Sequence, residues 1–392
     1  MKKKSLLFVF TILSVFGVLY AQTDLQRQEI KANYDLEKLS ILESEMTEKQ
    51  NLNYQRAYEM ADLLGWEKII QSPNGGLAKL VGVNLNDKPL YVTTTNREGG
   101  ITTRANKLHT GGGNGFDLNG EDMIVGMWEV GDANLNHPLL EDRVIQIDNT
   151  SGISDHATHV AGTIIGGGAL NGGATKGMAP LAIIHSYTSQ SDSGEMIAAA
   201  ADGLLISNHS YGYNINSFDL WQIGYYGGNA RGFDNITYNA PYYLPFQSAG
   251  NDRQSGANTG NGGYDYLTGA ALSKNAMVVA AVNEVLNYTG PNSVNMSSFS
   301  SWGPTDDGRI KPDISAKGVN MYSATGATGY SNYSGTSMSS PNAAGSATLL
   351  QQHYNNLNGA FMRSSTLRGL VLHTADEAGT SPGPDYRFGW GL

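Results

Sequence analysis

The sequence predicts an α/β fold built on a mostly parallel sheet with helices on both faces. Three observations predict it. Short apolar runs alternate with helical stretches from about residue 120 onward, the pattern of strands joined by helical crossovers. Glycine is abundant, 49 residues, while the apolar share is an ordinary 40%; that describes a globular chain with many tight loops, not a disordered one. A length of 392 residues leaves room for one large domain and an appendage.

The chain opens MKKKSLLFVFTILSVFGVLYAQ. Three lysines, an apolar run from Ser5 to Tyr20 and then Ala21-Gln22 have the layout of a secretory signal peptide cleaved after Ala21. The apolar run is 16 residues, short for a membrane span, and no other long apolar run follows it. Residues 1–21 are therefore expected to be removed, leaving a secreted or cell-surface chain with no membrane segment. Residues 22–72 are rich in Glu, Lys, Gln and Leu and read as helix. Residues 73–95 read as short strands around turns, and NREGGITTRANKLHTGGGNG (96–115) reads as loop. A small α+β unit over 22–110 is expected, with the large domain at 111–392. The small unit is either a plain N-terminal domain or a propeptide removed near that loop.

Formal net charge is −10. Loss of residues 1–21 takes three lysines and no acid, leaving −13. So acidic a chain is a poor partner for a phosphate backbone, and nucleic acid is not expected. There is no cysteine, which excludes a disulfide scaffold, a thiolate zinc site and a cysteine nucleophile.

Within the large domain the expected strands are 123–128, 182–188, 204–212, 244–250 and 276–282. The expected helices are 156–166, 194–202, 337–355 and 364–376. In a parallel sheet the working residues sit at the carboxyl ends of strands, and four places qualify for inspection. Glu129 ends the first strand, and Asp132 follows in its loop. His156 and His159 stand in SDHATHVAGT (154–163) at a spacing of i, i+3 with no Glu between them, which argues against a helical zinc pair. Asn251 follows a strand in QSAGND. Ser337 precedes a run of small residues that reads as a helix, with Pro341 in its first turns. A serine there can be a simple cap, but a nucleophile also gains from the free N–H groups of a helix start. The order acid, His, Ser is one of three chain orders in which serine triads occur.

These residues and their neighbours resemble the subtilisin-like serine peptidases. HATHVAGT (156–163) resembles the family's His-Gly-Thr-His-Val-Ala-Gly-Thr. GTSMSSP (335–341) resembles Gly-Thr-Ser-Met-Ala-x-Pro. KGMAP (176–180), SAGN (248–251), FSSWGPTDDGRIKPDISAKG (299–318) and the closing GPDYRFGWGL fall in the family's order. The closing segments resemble, more loosely, the oxidatively stable alkaline protease branch. The resemblance covers roughly 120–392. It implies a three-layer subtilisin-like fold preceded by an α+β propeptide that serves as chaperone and inhibitor. It implies a secreted endopeptidase with Ser337 as nucleophile, His156 as general base and an acid that orients the imidazole. Asn251 and the Ser337 N–H would bind the oxyanion. Ser210-Tyr211-Gly212 and Ser248-Ala249-Gly250 would flank an extended substrate. His159 matches a packing position.

The partners so implied are polypeptide substrates and the chain's own propeptide, and a monomer is expected. No cofactor is required for the chemistry. Family members often hold structural Ca²⁺ in surface loops. Asp306 and Asp307 are acids of that kind, though they also read as an ordinary turn, and metal ligands stay unassigned.

The sequence departs from the family at the acid, where the motif is Asp-Thr/Ser-Gly. Here Glu129 stands in that place with Gly131 two residues on, and Asp132 is the alternative acid; a third reading has no functional acid. Ala157, Lys317 and Ser339-Ser340 are smaller departures. The chain stops at Leu392, where the family's last short helix would begin, so further C-terminal sequence is expected. Two rival classes are an inactive peptidase-fold binding protein and an esterase of another fold; the second lacks the Gly-x-Ser-x-Gly elbow at Ser337. Side-chain specificity is left open, with Tyr211, Tyr213 and Trp221 near the expected cleft.

Overall fold

A computed structural model describes residues 23–71, 77–84, 86–93, 99–113, 115–149, 151–167 and 174–392. The expected signal peptide lies outside the described residues. Helix α1 (Asp24–Lys31) starts at a capping box between Thr23 and Gln26, which satisfies two free N–H groups at once. Helix α2 (Leu36–Leu64) starts on the Asp35 carboxylate and stops at Gly65. Three short strands follow, β1 (Ile69–Gln71), β2 (Leu77–Val83) and β3 (Pro89–Thr93), paired antiparallel in that order. Ala57 and Ala61 of α2 close on Leu80 and Val83 of β2. The helix expected over 22–72 is thus two helices and the first strand.

The large domain carries a seven-stranded sheet. Its strands are β4 (Ile124–Glu129), β5 (Val144–Gln146), β6 (Ile183–Thr188), β7 (Ile206–His209), β8 (Leu244–Ser248), β9 (Met277–Val282) and β10 (Ile314–Lys317). Their order is β10-β9-β8-β7-β4-β6-β5, and every neighbouring pair is parallel. The chain leaves β4 to build β6 and β5 on one side, then returns to build β7 to β10 on the other. The carboxyl end of β4 is therefore the switch point, where open α/β sheets form their crevice. A two-stranded hairpin, β11 (Met321–Thr325) and β12 (Gly329–Tyr333), stands apart from the sheet.

Alternation along β4 divides the layers. Trp128 points to one face, where its ring stacks on Tyr187 at 4.2 Å and on His209 at 5.1 Å. Its Nε1 donates to Glu195 at 3.0 Å. That residue belongs to α4 (Asp192–Ala201), which covers this face with α5 (Gly228–Asn239). Glu129 points to the other face, toward α3 (Asp155–Ile165). There α6 (Thr336–Asn358) crosses β7 to β10 and α7 (Ser364–Thr374) packs on α6. A cluster of three charges sits beneath the sheet end. Lys311 and Arg368 both donate to the fully buried Asp313, each at 2.6 Å, and Asp313 also accepts the Val278 N–H. Helix α5, the edge strand β5, β10 and the hairpin were not foreseen.

The N-terminal unit lies on the α4–α5 layer, with α2 against both helices. Gly194 of α4 makes the approach close: a Cβ there would stand 1.8 Å from Thr47 Oγ1. Lys31 pairs with Asp202 at 3.3 Å and Lys88 with Asp219 at 3.0 Å. Among the described residues no helix is long and apolar enough to cross a membrane.

Candidate active site

The carboxyl ends of β4 and β8 and the starts of α3 and α6 meet at one place. Glu129 is the last residue of β4 and is 0% exposed. The chain then turns sharply through Gly131, whose φ is +93°; a Cβ there would stand 2.8 Å from the Ser154 Cβ. A residue with a side chain would be strained and would push α3 away. Ser154 caps α3 through its Oγ on the Ala157 N–H at 3.4 Å. His156 is in the first turn, 6% exposed, with Nδ1 2.8 Å from Glu129 Oε2. Both ring nitrogens and both Glu129 oxygens are buried and make no aligned hydrogen bond among the described residues, so the Glu129–His156 approach is an ion-pair distance and Nε2 has no partner.

Asp132 lies elsewhere. Its Oδ2 accepts the Ser151 and Gly152 N–H groups at 2.8 and 2.9 Å, and its backbone pairs with Gly152 and Ser154. It fastens the loop that leads into α3. The carboxylate that meets His156 is that of Glu129. His159, one turn further along α3, is fully buried, stacked on Tyr333 at 4.9 Å with Nε2 on the Met321 carbonyl at 3.1 Å.

Ser337 is the second residue of α6 and is 2% exposed. Its Oγ donates to the Ser210 carbonyl at 2.9 Å, and Ser210 Oγ donates to the Ser337 carbonyl at 2.7 Å. Ser210 thus ties the end of β7 to the start of α6. Asn251 follows β8. Its Oδ1 accepts the Thr336 N–H at 2.8 Å and Thr336 Oγ1 at 3.1 Å. That fixes the amide plane and leaves Nδ2 as the donor side. The Thr336 N–H is taken by Asn251 and the Met338 N–H by the Gly335 carbonyl at 3.1 Å, so Asn251 Nδ2 is the side-chain donor this junction carries next to Ser337.

Tyr211, Gly212 and the run Ser248-Ala249-Gly250 line a cavity of about 90 Å³. Gln247 Nε2 on the Tyr211 carbonyl at 2.7 Å holds the two segments side by side. Tyr213 and Asp192 also line it, as do Gln50 and Asn53 of α2. Nothing in the sequence marks Asp192, which stands two residues before the helix expected over 194–202 and becomes its first residue in the structure. Burial, aided by the Asp192 charge, pushes the Tyr211 phenol well above its ordinary value, so it stays a neutral donor. Trp221 is exposed and stacks edge-on with Tyr225 at 5.5 Å.

Among the described residues, no three His, Cys, Asp or Glu side chains converge as a metal site would require. Asp307 is engaged by Thr305 Oγ1 at 2.5 Å and Arg309 Nε at 2.9 Å, as in an ordinary turn.

The model of the subtilase family matches residues 127–391. The chain belongs to the subtilase family. A stretch of 78 residues, 20% of this subtilase, is 52% identical to the PII-type proteinase of Lacticaseibacillus paracasei and spans 4% of that protein. A stretch of 59 residues, 15% of the chain, is 52% identical to the C5a peptidase of Streptococcus pyogenes and spans 5% of it. The matches therefore cover a small fraction of either relative's length. Among solved structures the subtilase is similar to the patellamide maturation protease PatA, at 22% identity and a TM-score of 0.54, over 70% of this chain and 93% of that one. It is similar also to the prenylagaramide maturation protease PagA, at 21% and 0.52, over 69% and 90%. These likenesses agree with the α/β architecture and its parallel central sheet.

Proposed function

We propose that this subtilase is a secreted serine endopeptidase in which Ser337, His156 and Glu129 form the triad. The observation that carries the reading is the Glu129 carboxylate, fully buried, 2.8 Å from His156 Nδ1. A carboxylate there fixes the tautomer that leaves Nε2 able to accept a proton, and it stabilises the imidazolium once that forms. Ser337 Oγ turns from the Ser210 carbonyl to His156 Nε2, gives up its proton and attacks the peptide carbonyl. His156 then protonates the leaving amine. Asn251 Nδ2 and the Ser337 N–H stabilise the oxyanion. The substrate lies extended between Ser210–Gly212 and Ser248–Gly250, where small residues allow a peptide backbone to approach.

Residues 1–21 act as the signal peptide, 22–110 as a propeptide and 111–392 as the peptidase domain. The propeptide reading is supported by α2 lying on α4 and α5 and by Gln50 and Asn53 reaching the cavity. The chemistry needs no cofactor.

The test is labelling with a fluorophosphonate, mapped by mass spectrometry, in wild type, Ser337→Ala, Glu129→Gln and Asp132→Asn. The expected label sits on Ser337, collapses in Glu129→Gln and persists in Asp132→Asn. A label that instead collapses in Asp132→Asn would move the acid. A folded wild type that takes no label would sink the peptidase reading in favour of a binding protein.

A further inference from the structure

The cavity beside Ser337 carries a carboxylate for which hydrolysis itself has no use. Asp192 is the first residue of α4 and is 4% exposed. Its Oδ2 accepts the Tyr211 hydroxyl at 2.6 Å, and its Oδ1 accepts Ser193 Oγ at 3.0 Å and the Gln50 amide Nε2. Every partner is neutral: no lysine, arginine or histidine pairs with it among the described residues. Gln50 comes from α2, and its Oε1 also accepts the Ser193 N–H at 3.2 Å. One side chain of the N-terminal unit therefore enters the cavity and hydrogen-bonds its carboxylate.

We propose that Asp192 is a specificity residue and that this cavity takes a lysine or arginine side chain of the substrate in the place Gln50 holds. The proposal rests on the peptidase reading of the same cleft. When the N-terminal unit leaves, Asp192 loses the Gln50 donor and keeps only the Tyr211 and Ser193 hydroxyls, with no counter-charge among its described partners. Such a group gains most from a cation that also donates hydrogen bonds. The alkyl stem of a basic side chain can run along the rings of Tyr211 and Tyr213 while its head reaches the carboxylate. A primary amide would replace the lost donor without the missing charge, and an acidic side chain would meet like charge. The cavity walls are the segments that neighbour Ser337, through Ser210 on one side and Gly250, bonded to Thr336, on the other. The selected side chain thus belongs to a residue close to the bond that is cut.

The test uses the full chain with a cleavage site for a sequence-specific protease inserted after Gly113, folded intact and then cut. Fluorophosphonate labelling comes first: no label refutes the peptidase reading, separately from this proposal. With labelled enzyme, kcat/KM is compared for peptides that differ only by lysine, acetyl-lysine, glutamine or glutamate at each of the four positions before the scissile bond. Lysine is expected to exceed acetyl-lysine and glutamine at one position by roughly tenfold or more, with glutamate poorest there. Asp192→Asn should bring the lysine to acetyl-lysine ratio at that position toward one. Equal rates for lysine and acetyl-lysine at all four positions would overturn the proposal. So would glutamine equal to lysine, or a ratio untouched in Asp192→Asn. The acetyl-lysine comparison uses the unaltered side chains, so it decides even if the variant does not fold.

Discussion

Glu129 is one methylene longer than the aspartate of the family motif, and the contact with His156 is still 2.8 Å. The strand end and the start of α3 are set so that the longer side chain spans the gap. Two predictions belong to this residue. Glu129→Gln keeps the shape and loses the charge, so in the proposed triad kcat should fall about 10⁴-fold, the loss seen when a triad carboxylate becomes an amide. Glu129→Asp restores the family's residue but shortens the reach inside a closed site, so it should be less active than wild type. Peptide hydrolysis under saturating substrate checks both. For Asn251→Ala the expected loss is about 10²–10³ in kcat with KM little changed; that range is the one known for the oxyanion asparagine of subtilisin, a member of the same family. Asp132→Asn acts on the loop before α3, and its expected effect is on stability more than on turnover.

At the scale of elements, α4 carries two tasks besides holding Asp192. Its Gly194 accepts Thr47 of α2, and its Glu195 lies under Trp128. Gly194→Leu should lift α2 off the layer, which limited proteolysis would read as faster loss of residues 22–110. Burial, with the nearby Asp148 charge, raises Glu195 from its ordinary 4.5 to about 8. A carboxyl raised in the folded state is neutral in both states below about pH 4.5. Between 4.5 and 8 the unfolded chain ionises first, so stability falls with rising pH. Glu195→Gln keeps the Trp128 bond without that cost. It should match wild type near pH 4 and exceed it by about 1 kcal/mol above pH 8, a figure reduced for solvent screening of a partly exposed group. Thermal melts at both pH values decide it. Helix α5 shows why some elements escaped the sequence. Its Ala230, Phe233, Asp234 and Thr237 are buried at helical spacing, but Gly, Asn and Thr around them weaken the propensity signal. The edge strand β5 has only three residues, too short for a period to show.

At the scale of the molecule, distant segments are joined by the buried cluster of Lys311, Asp313 and Arg368. Burial lowers Lys311 to about 8 despite Asp313 beside it. Asp313→Ala would leave Lys311 buried without its partner and should cost about 3–5 kcal/mol, visible as a lower midpoint in denaturant. The whole chain should also be less active than the chain freed of residues 22–110, because α2 holds Gln50 in the cavity; turnover of a short peptide before and after processing measures this. The sequence by itself determined the family, the parallel sheet and the places of Glu129, His156, Asn251 and Ser337. Strand ends and helix starts are local features, and each of those residues stands next to one. Only the tertiary structure decided which carboxylate lies against His156, because Glu129 and Asp132 differ in the direction the chain takes through Gly131. Only it could bring Gln50 to Asp192, 142 residues apart, since that contact depends on how the N-terminal unit packs on the α4–α5 layer, and no local pattern records it.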